Sequence, residues 1–236
     1  MSQSVPVPTG KDYLQMLNLA AKQAQVAVVS RQETHSSEFV VIGTSLSSLY
    51  QAATCHRGCH GGSHTLERLC GRAHNIGCGA LSLIEVGLYD EALNLIRGLG
   101  EISNLVILSI VDKPGIQEWL QSDRKTRLRK FSPARIRERI KGHLPGLMIA
   151  NAEWYGAFSE NYVHPNRGTM PGSIGAGGMI GPFYQSEDVE KTTRELAMLT
   201  GILSMMVCKF FKFSDVETVL RGQLEALSSS LEARGV

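Results

Sequence analysis

The chain has 236 residues, 43% of them apolar and 19% charged, with a formal net charge of +2. That is enough length and apolar content for one large buried core, and the composition is that of an ordinary globular protein. Five cysteines, an odd number, behind an opening "MSQSVPVPTG" with neither basic nor apolar signal regions argue against a secreted disulfide framework.

Residues 1–10 read as a disordered lead-in. The most apolar stretch noted, "LAMLTGILSMMVCKFF", carries Lys209, is preceded by Glu195, and falls short of the ~18–20 apolar residues of a membrane span. The expectation is a soluble, cytoplasmic protein with no membrane partner.

Helical periodicity recurs along the chain. A Gly-Lys-Asp start predicts a helix over 12–29. "SSEFVVIGTSLSSLYQAA" opens on serine and places Phe39, Ile42, Leu46, Leu49 and Ala53 on one stripe. Glycines 58, 61 and 62 end it, and Ser63 begins the next, with Leu66, Leu69, Ala73, Ile76, Ala80 and Leu83 inward and Gly87 as its stop. "YDEALNLIRGLGEISNLVILSIVD" has acidic residues in its first turn, where the helix dipole favours them, and "DKPG" stops it.

Further on, Ser132 fits the N-cap and Pro133 the first turn of a compact helix in "SPARIRERIKGHLPG". Another helix is expected over 147–163, ended by Pro165, and then a long glycine-rich loop over 165–184. Ser186 starts a helix rich in Leu and Met. Ser214 and Glu217 make a capping box for the last helix, which runs to about Leu231. No alternating period-two segment appears. The fold class is therefore all-α: a single helical-bundle domain over 11–232, with no internal repeat.

Four features carry candidate chemistry. The first is "CHRGCHGGSH" at 55–64, followed by Cys70, His74 and Cys78. Zinc takes about four Cys or His ligands, and ligands four apart on a helix can share an ion. Pairs at that spacing include Cys55/Cys59, His60/His64 and Cys70/His74. Residues eight apart lie about 12 Å apart along a helix, so Cys70 and Cys78 cannot share an ion. A site would combine two ligands from each segment, for instance Cys55 and Cys59 with Cys70 and His74. The other reading puts the cysteines in the core and the histidines on a solvated turn, with no cofactor.

The second feature is charge. Between Arg124 and Lys141 nine Lys/Arg residues face Glu138 alone, giving +8, while the rest of the chain carries −6. Arg124, Lys125, Arg127, Arg129, Lys130, Arg135 and Arg139 are candidate phosphate contacts for a nucleic acid. Arg135 and Arg139 share a face, with Arg137 turned away. A solvated segment facing a partner protein is the alternative.

The third is "WYGAFSENYVHPN", where Ser159 and His164 close a helix. A histidine at a helix C-terminus can serve as an acid or base, or simply cap the last carbonyls. The fourth is Arg97 and Glu101, one turn apart among apolar residues, which can pair with each other or reach a polar pocket.

"ALNLIRGLGE" together with "YGAFSENYVHPN" resembles uncharacterised bacterial and mobile-element helical proteins related to the HEPN superfamily, with Arg97, Glu101, Ser159, His164 and Pro165 matching over about residues 65–215. The resemblance implies an all-α, commonly dimeric protein and a metal-independent endoribonuclease of a defence or stress system. On that mechanism His164 would assist attack of the ribose 2′-hydroxyl, and Arg97 or an arginine of the basic segment would stabilise the developing charge. The HEPN signature is Arg followed after four to six residues by His, and this chain has Ser159 in the arginine's place. Arg137 and His143 satisfy the spacing on a different helix. A degenerate, non-catalytic HEPN-like module that binds RNA or a partner protein is thus the favoured expectation. The ribonuclease is its first alternative and a zinc-stabilised structural protein its second.

Overall fold

The computed structural model describes residues 9–30, 36–59, 62–145, 150–163 and 181–234. Among them are ten α-helices and no strand: α1 Gly10–Ser30, α2 Ser36–Ala53, α3 Thr65–Glu85, α4 Tyr89–Val111, α5 Lys113–Gln121, α6 Arg124–Lys130, α7 Pro133–His143, α8 Ala152–Tyr162, α9 Ser186–Phe211 and α10 Ser214–Arg234. The all-α bundle expected from periodicity is the fold. The lead-in over 1–8, His164 and most of the glycine-rich stretch (165–180) lie outside the described residues.

The centre is built by α2, α3, α4 and α9, each packed on at least two of the others. Ile42 and Leu49 of α2, Ile84 of α3, Ile96, Leu99 and Ile107 of α4, and Leu196 and Leu203 of α9 are fully buried there. Burying each such side chain contributes about 1.5–3 kcal/mol against leaving it in water. Small polar residues line the seams; most bond to backbone carbonyls, while the buried Ser45 hydroxyl has no partner among the described residues. Ser204 of α9 donates to the Ser45 carbonyl of α2 at 3.0 Å, and Ser103 donates to the Leu99 carbonyl of its own helix at 2.8 Å.

Helix α4 is long and apolar enough to cross a membrane by length and composition alone, and 56% of that stretch is buried in the bundle. Its contacts with α3, α7, α8 and α9 account for so apolar a sequence. Helix α10 covers α2 and α9, whereas α1 touches α3, buries only Ala24 and Val28, and leaves Leu14, Leu19 and Val26 exposed.

Two helices appear that periodicity did not announce. Asp112 ends α4, as the Asp-Lys-Pro-Gly stop predicts, and at once becomes the N-cap of α5: its carboxylate accepts from the Gly115 amide at 2.9 Å, with proline in the first turn. Asp123 does the same for α6, accepting from the Thr126 amide at 2.7 Å. All of the basic segment except Phe131 and Ser132 is therefore helix.

Gly87 closes α3 with φ +79°, and a Cβ there would run into the Phe183 carbonyl. The Phe183 amide donates to the Gly87 carbonyl at 3.4 Å and the Gln185 amide to the Tyr89 hydroxyl at 3.2 Å. The end of the glycine-rich stretch is thereby fastened to the α3–α4 turn.

Candidate functional site

Residues four apart share a helix face. Arg97 and Glu101 do so on α4, and Tyr155 and Ser159 do so on α8; the packing of α8 against α4 sets the two faces together. Arg97 Nε donates to Ser159 Oγ at 3.0 Å, and its Nη2 donates to the Tyr155 hydroxyl. Tyr155 in turn donates to Glu101 Oε1 at 2.7 Å, while Arg97 Nη1 pairs with the same carboxylate at 3.2 Å. Each polar group in this half-buried cluster has a partner, which is the condition for keeping it out of water. Burial, and then the hydrogen bond to Glu101, push the Tyr155 phenol above its ordinary pKa, so it stays a donor at neutral pH.

The basic helix α7 reaches the same ring. The Arg97 guanidinium lies 4.5 Å and the Arg137 guanidinium 4.9 Å from the Tyr155 ring centroid. Arg137 Nη1 is buried and has no hydrogen-bond partner among the described residues. Two guanidinium groups and one carboxylate thus meet at one aromatic ring, a locally positive site with an unused donor. His143 turns elsewhere, 3.9 Å from Asp112, so the Arg-x5-His spacing on α7 does not bring its two ends together. His164 falls outside the described residues.

The +8 segment is less free than its sequence. Lys130 pairs with Glu118 at 2.6 Å, Arg139 with Asp112 at 3.2 Å and Glu118 at 3.4 Å, and Arg135 with Glu138 at 2.8 Å. Arg127 donates to the Ser122 carbonyl. Arg124, Lys125 and Arg129 are exposed on α6, with no carboxylate at ion-pair distance among the described residues. Together with Lys141 of α7, exposed and likewise without an ion pair among the described residues, they are cations of the segment open to a polyanion.

The cysteine-histidine turn links α2 to α3. Cys55 and His64 both take left-handed backbone angles, φ 53° and φ 51°, and bend the chain so that their side chains converge. Cys55 Sγ lies 3.8 Å from His64 Nδ1, and Cys59 Sγ lies 3.8 Å from His64 Nε2. The Cys55, Cys59 and His64 ligand atoms all fall within 4.8 Å of one another, so these three residues could hold a metal ion.

The expected partners Cys70 and His74 are not with them. Cys70 is wholly buried on α3, where burial pushes its thiol up to about 12. His74 Nε2 sits 3.6 Å from Cys78 Sγ, one turn along the same helix. The ligand set is thus drawn from one turn, whereas the sequence pairing took two ligands from each of two segments. His60 lies outside the described residues.

Sequence reasoning named Arg97, Glu101 and Ser159 but missed Tyr155, although its spacing from Ser159 was the available signal. Nothing local could place Arg137 over that ring. Comparisons with protein-family models, curated proteins and solved structures found no match for this chain.

Proposed function

We propose that this protein is a helical nucleic-acid-binding module that engages RNA through the exposed cations of α6 and the arginines beside Tyr155. The observation that carries it is the meeting of Arg137 from the basic helix with Arg97 from the core helix at one ring, with Arg137 Nη1 buried and unpartnered. A phosphate oxygen supplies the acceptor that a buried guanidinium nitrogen lacks. The cations of α6 add non-specific, salt-dependent attraction. RNA rather than DNA, a homodimer, a cytoplasmic location and a bacterial or mobile-element defence context rest on the HEPN-like resemblance. A zinc-stabilised α2–α3 turn is compatible with this role, because the turn and the basic face lie on different elements.

Binding and cleavage separate in one experiment. Wild type and His164→Ala are incubated with a varied RNA pool without metal, and both bound and cleaved RNA are measured. Binding by both proteins with no cleavage by either supports the module. Cleavage with 2′,3′-cyclic phosphate ends by wild type alone would assign the ribonuclease instead. No retention by either, with capture of a protein partner through residues 124–141, overturns the nucleic-acid reading.

A further inference from the structure

We infer that Cys55, Cys59 and His64 form a zinc site that clamps the start of α3 to the end of α2. The distances carry this. A tetrahedral zinc with Zn–S about 2.3 Å and Zn–N about 2.05 Å holds its sulfur and nitrogen ligands about 3.5 Å apart. Here Nδ1 of His64 is 3.8 Å from the Cys55 sulfur and 4.0 Å from the Cys59 sulfur, with one ligand atom from each of the three residues inside 4.8 Å of the others. An ion needs about an ångström of movement or less to enter. Cys59 is exposed and Cys55 half-buried, so the site is open to an ion from solution.

Glu67, 5% exposed, lies 3.7 Å from the same His64 nitrogen and adds a carboxylate beside the site. Two thiolates neutralise the dication, and their two protons leave to solvent as the metal enters. A non-glycine residue in the left-handed region costs about 1–2 kcal/mol, and this turn holds two, at Cys55 and His64, the first and last of the three ligands. Metal ligation is the interaction that repays such a backbone.

The clamp extends further through Arg57, between the two cysteines. It binds the Asp215 carboxylate at the start of α10 through both terminal nitrogens and lies over the Phe213 ring at 5.1 Å. Ordering the turn therefore also fixes the beginning of α10.

The test is uptake of cobalt(II), a tetrahedral zinc surrogate with a visible spectrum, by full-length reduced protein. One cobalt per chain is expected, with tetrahedral d–d bands and a sulfur-to-metal charge-transfer band, displaced by zinc. His74→Ala should retain the spectrum. Cys59→Ser and His64→Ala should lose it while keeping a wild-type helical circular dichroism spectrum; Cys59 is exposed, so its substitution leaves the core intact. Zinc should raise the thermal midpoint of wild type and not of Cys59→Ser. Absence of uptake by wild type overturns the site. A spectrum that survives His64→Ala, or one lost in His74→Ala, overturns this ligand set.

Discussion

Tyr155 ties the α4–α8 cluster together because its hydroxyl accepts from Arg97 and donates to Glu101. Tyr155→Phe keeps the ring beneath both guanidiniums and deletes only that relay. Losing a hydrogen bond to a charged group costs about 1.5–3 kcal/mol, so the urea midpoint should fall accordingly; an unchanged midpoint would show the relay is idle. Gly100 matters for a different reason. A Cβ there would sit 2.7 Å from the Trp154 ring and 3.0 Å from the Ala150 Cβ, the contacts that seat α8 on α4. Overpacking costs about 1–3 kcal/mol, partly offset by alanine's better helix propensity of about 1 kcal/mol. Gly100→Ala is therefore expected to lower the thermal midpoint and change the near-ultraviolet dichroism of Trp154; a midpoint above wild type would mean α8 is not packed this tightly.

At the scale of elements, α10 is fastened to the bundle by charge. Arg234 binds the buried Glu38 of α2 and pairs with Glu190 of α9 at 3.2 Å. Burial alone would raise the Glu38 pKa, but the Arg234 and Ser37 hydrogen bonds outweigh it and hold the carboxyl below its ordinary value. A depressed folded-state pKa contributes stability that is complete above the unfolded value of about 4.3 and is lost as pH falls through the folded value. Wild type should lose stability on acidification below that value, and Glu38→Gln should show a shallower acid limb in urea midpoints measured from neutral to acid pH. Parallel limbs would contradict the assignment.

Helices of this kind were legible where apolar periodicity was long. The bounds of α2 follow from its opening serine and apolar stripe, and the start of α4 from its acidic first turn. Helices α5 and α6 were not, because Asp112-Lys-Pro-Gly reads equally well as a stop and as a cap followed by a first-turn proline. Seven residues of "RKTRLRK" bury no side chain, so α6 has no apolar stripe to read. The same limit divided the site. Arg97, Glu101 and Ser159 stand out on their own helices, whereas Arg137 joins them only through the packing of α7 and α8 on α4. His64 was paired by spacing with His60, because four-residue spacing presumes a helix and the left-handed Cys55 and His64 break it.

For the whole molecule, the charge division is structural as well as compositional. Residues 124–141 carry +8 and the remainder −6, and part of that opposition is spent inside the fold in the pairs of Lys130 and Arg139 with Glu118 and Asp112. Among the cations open to a polyanion is the exposed α6 set of Arg124, Lys125 and Arg129, beside the arginines at Tyr155. Protein–nucleic-acid affinity that depends on such contacts falls linearly in log–log form with salt, with a slope of about −0.7 per neutralised phosphate on a single strand. The most direct test is fluorescence anisotropy of a labelled single-stranded RNA titrated with wild type and with the Arg124→Glu/Lys125→Glu/Arg129→Glu variant at several salt concentrations. Saturable binding is expected, with a salt slope about two units (three contacts at that value) steeper for wild type than for the variant. Equal affinities and equal slopes for the two proteins would contradict the assignment of this face to nucleic acid.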